Sequence, residues 1–390
     1  MATPRLMNEL GKQRLGRMKI CQVLFEMPQG PKSGGAIRNE ALGRALSGMG
    51  DVATLYVQAY GKVAGWHPGR GPSFVGAALG PAVLSGVVAD IMASEPDLVT
   101  VEGVYLGEVV LALQELGVPV ALDLHNVESH LREQIDRNKG NALVRTLASL
   151  RHRKRWAAAC TYEASVAQAA AVTWVCSDAD KTLLRKIAPD LCNITVVPNP
   201  APDCRTQSAQ PDPWVPHVLF VGHLSYEPNI AAALLLVSKV FPALSSRFPV
   251  ATLTLAGRAP HRSIVTAARA HREIAVVANP ASLDPIYERA TVAVVPLQIG
   301  GGTRLKILEA IAFGLPVVAS AKAVEGLELG PDREFLLAET PAEIVAQIER
   351  LASDPDLRKA LCADATAFVR ARHSPLAIAT AVGGSLSKFG

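Results

Sequence analysis

TVAVVPLQIGGGTRLKILEAIAFGLPVVAS, residues 291–320, says more about this chain than any other stretch. An apolar run (292–295) leads into a glycine loop, Gly300, Gly301, Gly302 and Thr303, and then into a helix whose first turns carry Arg304, Lys306 and Glu309. A glycine loop that opens a helix gathers unpaired backbone N–H groups beneath the positive end of the helix dipole. Two cations add full charges, so the place suits a diphosphate. Glu309 stays on the loop side of the helix, and an ionised carboxylate accepts well from the vicinal hydroxyls of a sugar. Gly314-Leu315-Pro316 ends the helix, and a second buried run follows at 317–320. Taken alone, the loop also fits an ordinary strand-to-helix junction that binds no phosphate.

Outward from this stretch the same alternation fills the chain. Apolar runs at 19–25, 51–57, 97–103, 118–126, 172–177 and 194–199 are separated by helical patterns such as 37–47, 81–94 and the long 141–168. Strands alternating with helices predict an α/β fold with a parallel sheet covered on both faces. Residues 198–216, PNPAPDCRTQSAQPDPWVP, are too rich in proline to hold a regular element. The pattern restarts at 217–224 and continues through 251–257, 274–279, 292–296, 316–320 and 334–339. A length of 390 residues also asks for two cores. The expected domains are therefore 18–200 and 217–365, joined by a linker at 201–216 and followed by a helical tail, 366–390. Two open α/β domains in tandem turn the carboxyl ends of their sheets toward one cleft, where such folds bind ligands.

Residues 290–327 resemble the donor-binding signature of retaining glycosyltransferases of family 4, whose fold is called GT-B, most specifically in KILEAIAFGLPVVAS and the later AVEGL. The resemblance implies two Rossmann-like doubly wound domains, the first on the acceptor side and the second binding a nucleotide-diphospho-sugar, with the last helix crossing back to the first domain. Glu309 matches the acid that takes the ribose. The order of expectation for cations on the diphosphate is Arg304, then Lys306, then Arg258 of LAGRAP. LFVGHLSYEPN resembles the family's glycine turn, with Gly222 admitting the diphosphate. This chain departs from the commonest pattern there: His223 and Pro228-Asn229 stand where many relatives carry an Arg and a Lys, and Gly301 stands where the first acid of a paired-Glu motif is usual. A surface-polysaccharide branch of the family shows a similar GTRLKILEA pattern.

In the first half, Gly34 and Gly35 open a helix after the first strand, either as a backbone anion contact or as a plain turn. DLHNVES puts His125 just past a buried strand, beside Asp123 and Asn126. Position alone leaves it a hydrogen-bonded core imidazole or a cleft residue; the resemblance implies that it contacts and orients the donor sugar. Glu128 opens the next helix and is expected to serve capping there. The resemblance further implies same-face attack with retention, the leaving diphosphate helping to take the acceptor proton. A hexosyl group would pass to a saccharide or lipid-linked acceptor, in bacterial surface polysaccharide or glycolipid synthesis.

Composition bounds the alternatives. Hydrophobic residues make up 49% and aromatic residues 5%, the profile of buried parallel strands. A net charge of +4 is too small for a nucleic-acid stripe. The six cysteines form no CxxC pair and read as reduced core residues of a cytoplasmic protein. No Walker loop, GxSxG elbow, HExxH or EF-hand is present, and no metal and no cofactor is expected. Neither half has GxGxxG after its first strand, which disfavours a dehydrogenase. The first residues lack the apolar core of a signal peptide, and no window is expected to span a bilayer. Arg151, Arg153, Lys154 and Arg155, beside Trp156, are either a solvated helix face or a peripheral contact with an anionic membrane. Because usual motif positions are lost, the rival to an enzyme is a non-catalytic GT-B subunit that binds nucleotide sugar or glycan.

Overall fold

The computed structural model describes residues 17–27, 34–61, 66–67, 71–72, 79–138, 142–205, 214–301 and 303–387. Six parallel strands, Met18–Leu24, Gly50–Tyr56, Leu98–Glu102, Val120–Leu124, Val172–Val175 and Ile194–Val196, form the first sheet in the spatial order 2-1-3-4-5-6. A second parallel sheet holds His217–Val221, Thr252–Gly257, Ile274–Ala278, Val292–Val295, Val317–Ala319 and Leu336–Leu337 in the order 3-2-1-4-5-6. Strands such as LVTVE and VALDL are buried at every position because helices cover both faces, which explains their unbroken apolar character. In each sheet the strand order reverses beside the first strand, and such a switch point opens a crevice at the carboxyl ends. These are two Rossmann-like domains.

The C-terminal end refines the expected boundaries. The helix Pro355–Arg372 still packs on the second core through Leu361, Ala365 and Val369, beyond the expected boundary at 365. The return is made at His373 and Ser374. The helix Pro375–Leu386 then buries Ile378, Val382 and Leu386 among Ile20, Leu46 and Trp174 of the first domain. The expected linker is not free where it is described. Ala201 and Cys204 pack on the second core, Trp214 is part of it, and Arg205 N–H donates to the Ala312 carbonyl; residues 206–213 lie outside the described residues.

Two further expectations are corrected. Glu227–Arg247 is long and apolar enough, by length and composition, to cross a bilayer. It lies instead on the second sheet, with Val237, Val240, Phe241 and Leu244 in the core, so packing accounts for its apolar face. Of the cysteines, Cys21, Cys176 and Cys362 are buried, whereas Cys160 and Cys204 are half-buried and Cys192 is exposed. Arg153, Lys154, Arg155 and Trp156 are all exposed on the helix Ala142–Ala169; the side chain of Arg151 lies outside the described residues.

Candidate active site

A cavity of about 450 Å³ lies between the domains, lined from one side by Gly34, Gly35, His125 and Asn126 and from the other by Gly222, Arg258, the glycine loop, Lys306 and Glu309. The strand Val292–Val295 delivers the loop to the cleft. Gly300 turns it at φ +145°, a left-handed value that side chains resist, and Gly302 lies outside the described residues. The helix Leu305–Ala312 begins without a side-chain cap, so its first N–H groups remain for a ligand.

Arg304 was expected in the first turn of this helix. It precedes the helix in extended conformation and is buried, its guanidinium donating to the carbonyls of Gly301 (2.7 Å) and Lys322 (3.2 Å). In this position it braces the loop while still lining the cavity. Lys306 is the residue whose ammonium stands at the cleft. It donates to Asn229 Oδ1 at 2.7 Å and lies 4.5 Å over the Phe220 ring, and no described carboxylate forms an ion pair with it. Enclosure away from water, helped by the charge of Arg304 and opposed by Glu309, pushes its pKa down to about 7. Arg258 lines the same cavity, also without an ion-pair partner among the described residues. Burial, with Arg258 adding, holds His223 below the usual imidazole range.

Gly222 is forced by crowding. A Cβ there would come within 2.8 Å of Lys306 Nζ and 2.9 Å of Asn229 Nδ2, and one on Gly257 would strike the Gly222 carbonyl. Glu309 faces the cavity with one oxygen occupied, because the Tyr287 hydroxyl donates to its Oε2 at 2.8 Å. Tyr287 is buried and stacked on Phe313, which fixes the carboxylate's rotamer. Burial raises the Glu309 pKa, and the Tyr287 bond and Lys306 oppose it.

On the first domain, His125 Nε2 lies 3.1 Å from Asp123 Oδ2, while its Nδ1 edge faces Gly35, where a Cβ would approach to 3.2 Å. Burial opposes protonation, but the bond and charge of Asp123 outweigh it and raise the His125 pKa. Burial would raise Asp123 in turn, yet the buried Arg38 fork at 2.6–3.0 Å, with His125, brings it down to about 2. The result is an imidazole edge in the cleft, held from behind by an ionised acid.

Glu128 does not serve the capping expected of it. The backbone N–H groups of Glu128 and Ser129 donate to Glu163, 2.8 and 3.0 Å away, whose burial pushes it up to about 7. Glu128 itself accepts from Asn126 Nδ2 at 3.2 Å. Sequence reading also missed Arg38, Asn199 and Tyr287 as parts of the site. None sits in a glycine turn, and their signal is only the company they keep in space. Asn229 was visible as a departure from the usual pattern, but not as the partner of Lys306.

Residues 215–354 match the family described as "Glycosyl transferases group 1". That stretch is most of the second domain. It contains Gly222, Arg258, the glycine loop, Lys306 and Glu309. Over nearly its whole length the chain also shares the GT-B fold of solved glycosyltransferase structures. Sucrose-phosphate synthase from Thermosynechococcus elongatus is 20% identical, with 95% of this chain and 99% of that one covered at a TM-score of 0.69. A glycosyltransferase from Rickettsia africae is 13% identical, covering 96% and 98%, with a TM-score of 0.66. HepE of Anabaena, solved in complex with UDP, is 14% identical, covering 95% and 100%, with a TM-score of 0.65. No curated protein matches the chain in sequence.

Proposed function

We propose that this chain is a retaining, metal-independent glycosyltransferase of family 4, moving a hexosyl group from a nucleotide-diphospho-sugar to a saccharide or lipid-linked acceptor in surface polysaccharide or glycolipid synthesis. The observation that carries the reading is the second domain's half of the cavity. Lys306 and Arg258, without carboxylate partners among the described residues, stand beside Gly222 and an uncapped helix start, next to a Glu309 oxygen left for hydroxyls. Lys306, Arg258 and the N–H groups of Gly301 and Thr303 hold the diphosphate and stabilise it as it leaves. Glu309 takes the ribose. His125 and the Gly34-Gly35 turn seat the sugar. Since HepE shares the fold and is seen with UDP, UDP-sugars are the first donors to try. Calorimetry with UDP, GDP and dTDP tests the reading, followed by transfer from their sugars. Absence of binding by all three would overturn it.

The protein's own cations supply the leaving-group charge in this reading, so turnover should be unaffected by EDTA. Activity abolished by chelation and restored by magnesium or manganese would contradict metal independence.

The reading places the protein in the cytoplasm, attached to the inner membrane face by Arg153, Lys154 and Arg155 with Trp156, all exposed on one helix. Basic residues contribute about 1 kcal/mol each at an anionic surface, enough together for reversible, salt-sensitive attachment. Liposome sedimentation should show binding to anionic but not neutral vesicles, reduced when Arg151, Arg153, Lys154 and Arg155 are replaced by Gln. Equal behaviour with both lipids would leave the cluster as surface charge.

A further inference from the structure

A buried polar chain runs beneath the cavity from one domain to the other. His125 bonds Asp123, Asp123 bonds Arg38, and Arg38 Nη1 donates at 3.0 Å to Asn199 Oδ1. The Asn199 amide Nδ2 then donates at 2.5 Å to Thr303 Oγ1, in the glycine loop of the second domain. The Asn199 backbone carbonyl accepts from His373 Nδ1 at 2.7 Å. Arg38, Asp123, Asn199, Thr303 and His373 are all buried. Asn199 thus stands where the chain first leaves the first domain and touches His373, where it returns.

The chemistry suits an amide and little else. Asn199 must accept from a guanidinium on one side and donate to a hydroxyl on the other, which neither an apolar residue nor an ionised acid does. Residues at a hinge move least as domains open and close, so a bond there sets register and does not act as a gate at the mouth. Another contact between the loop and the first domain, Gly300 N–H to Gln134 Oε1, is longer at 3.5 Å.

We propose that Asn199 is a positioning residue that registers the glycine loop against the His125–Asp123 pair across the hinge. The proposal rests on the donor-site reading of the cavity. Asn199 itself lines the cavity, but the side chains assigned to nucleotide and diphosphate, Lys306, Arg258 and Glu309, belong to the second domain, and Lys306 and Glu309 are held there by Asn229 and Tyr287. Its loss misplaces the sugar relative to the leaving group, and small misplacements cost turnover steeply.

Asn199→Leu and the near-isosteric Thr303→Val should each slow UDP release from UDP-glucose by roughly tenfold or more, while UDP affinity in Asn199→Leu stays within about threefold. The double variant should be no slower than the slower single one, because both cut the same bond. Asn199→Asp still accepts from Arg38 and can take the Thr303 hydroxyl proton, so it should lose less than Asn199→Leu. Hydrogen exchange, which needs no substrate, should rise in Asn199→Leu both in the loop at 297–305 and at 123–127 of the other domain. Additive losses in turnover, or faster exchange in one domain alone, would overturn the proposal. A wild-type protein that binds no nucleotide would instead count against the donor-site reading, and the exchange result would still decide for or against the hinge.

Discussion

Lys306→Met is expected to slow sugar transfer by roughly 10²–10³-fold, the scale on which losing one fixed donor to a developing anion acts. The ammonium is held by Asn229 and packed over Phe220, so it needs no rearrangement as charge grows on the departing diphosphate. Its pKa of about 7 adds two tests. A bound diphosphate restores the charged form, so at about pH 8 UDP binding should take up close to one proton, and the Met variant should take up none. Calorimetry in buffers of different ionisation enthalpy reads this directly. For stability, the native pKa lies below the unfolded value near 10.5, so the unfolded chain binds more protons between about pH 7 and 10.5. Wild-type stability from this group therefore rises with pH through that window and is lowest below it. Lys306→Met should melt above wild type at about pH 6, with the gap closing toward about pH 10. Unchanged turnover together with unchanged proton uptake would remove Lys306 from the site.

Glu309→Ala should weaken nucleotide affinity by about 1.5–3 kcal/mol, or roughly 10- to 150-fold, the loss of a charged acceptor. The loss should be equal for UMP and UDP, since ribose is common to both, whereas Lys306→Met should discriminate between them. The substitution also costs stability. Truncation strands the buried Tyr287 hydroxyl, which costs about 1–3 kcal/mol. Tyr287→Phe in the Glu309→Ala background should recover most of that stability without recovering affinity. Thermal melts and calorimetry on the two variants separate the effects, and unchanged nucleotide affinity in Glu309→Ala would rule out the ribose role.

Much of the architecture is legible before any coordinates. Each strand of the two sheets falls within a residue or a few of an apolar run in the sequence. Buried parallel strands are continuous apolar segments, and glycine and proline punctuate them. Arg304 shows the limit of that reading. Its spacing places it at the helix start, but only the fold of the loop turns its guanidinium back onto the carbonyls of Gly301 and Lys322. Glu128 misleads similarly, because its helix is capped by Glu163, 35 residues away along the chain.

The sequence by itself determined two α/β domains, a glycine loop built for an anion, and the side-chain types around it: cation, carboxylate and imidazole. Those follow from local rules of period, backbone freedom and charge, which act over a few residues. The tertiary structure alone decided that Lys306 meets Asn229, that Tyr287 fixes Glu309, that Arg38 holds Asp123 behind His125, and that Asn199 joins Thr303 across the hinge. Such pairings depend on how the two sheets present their carboxyl ends to one another. No local period encodes contacts between residues so far apart in the chain.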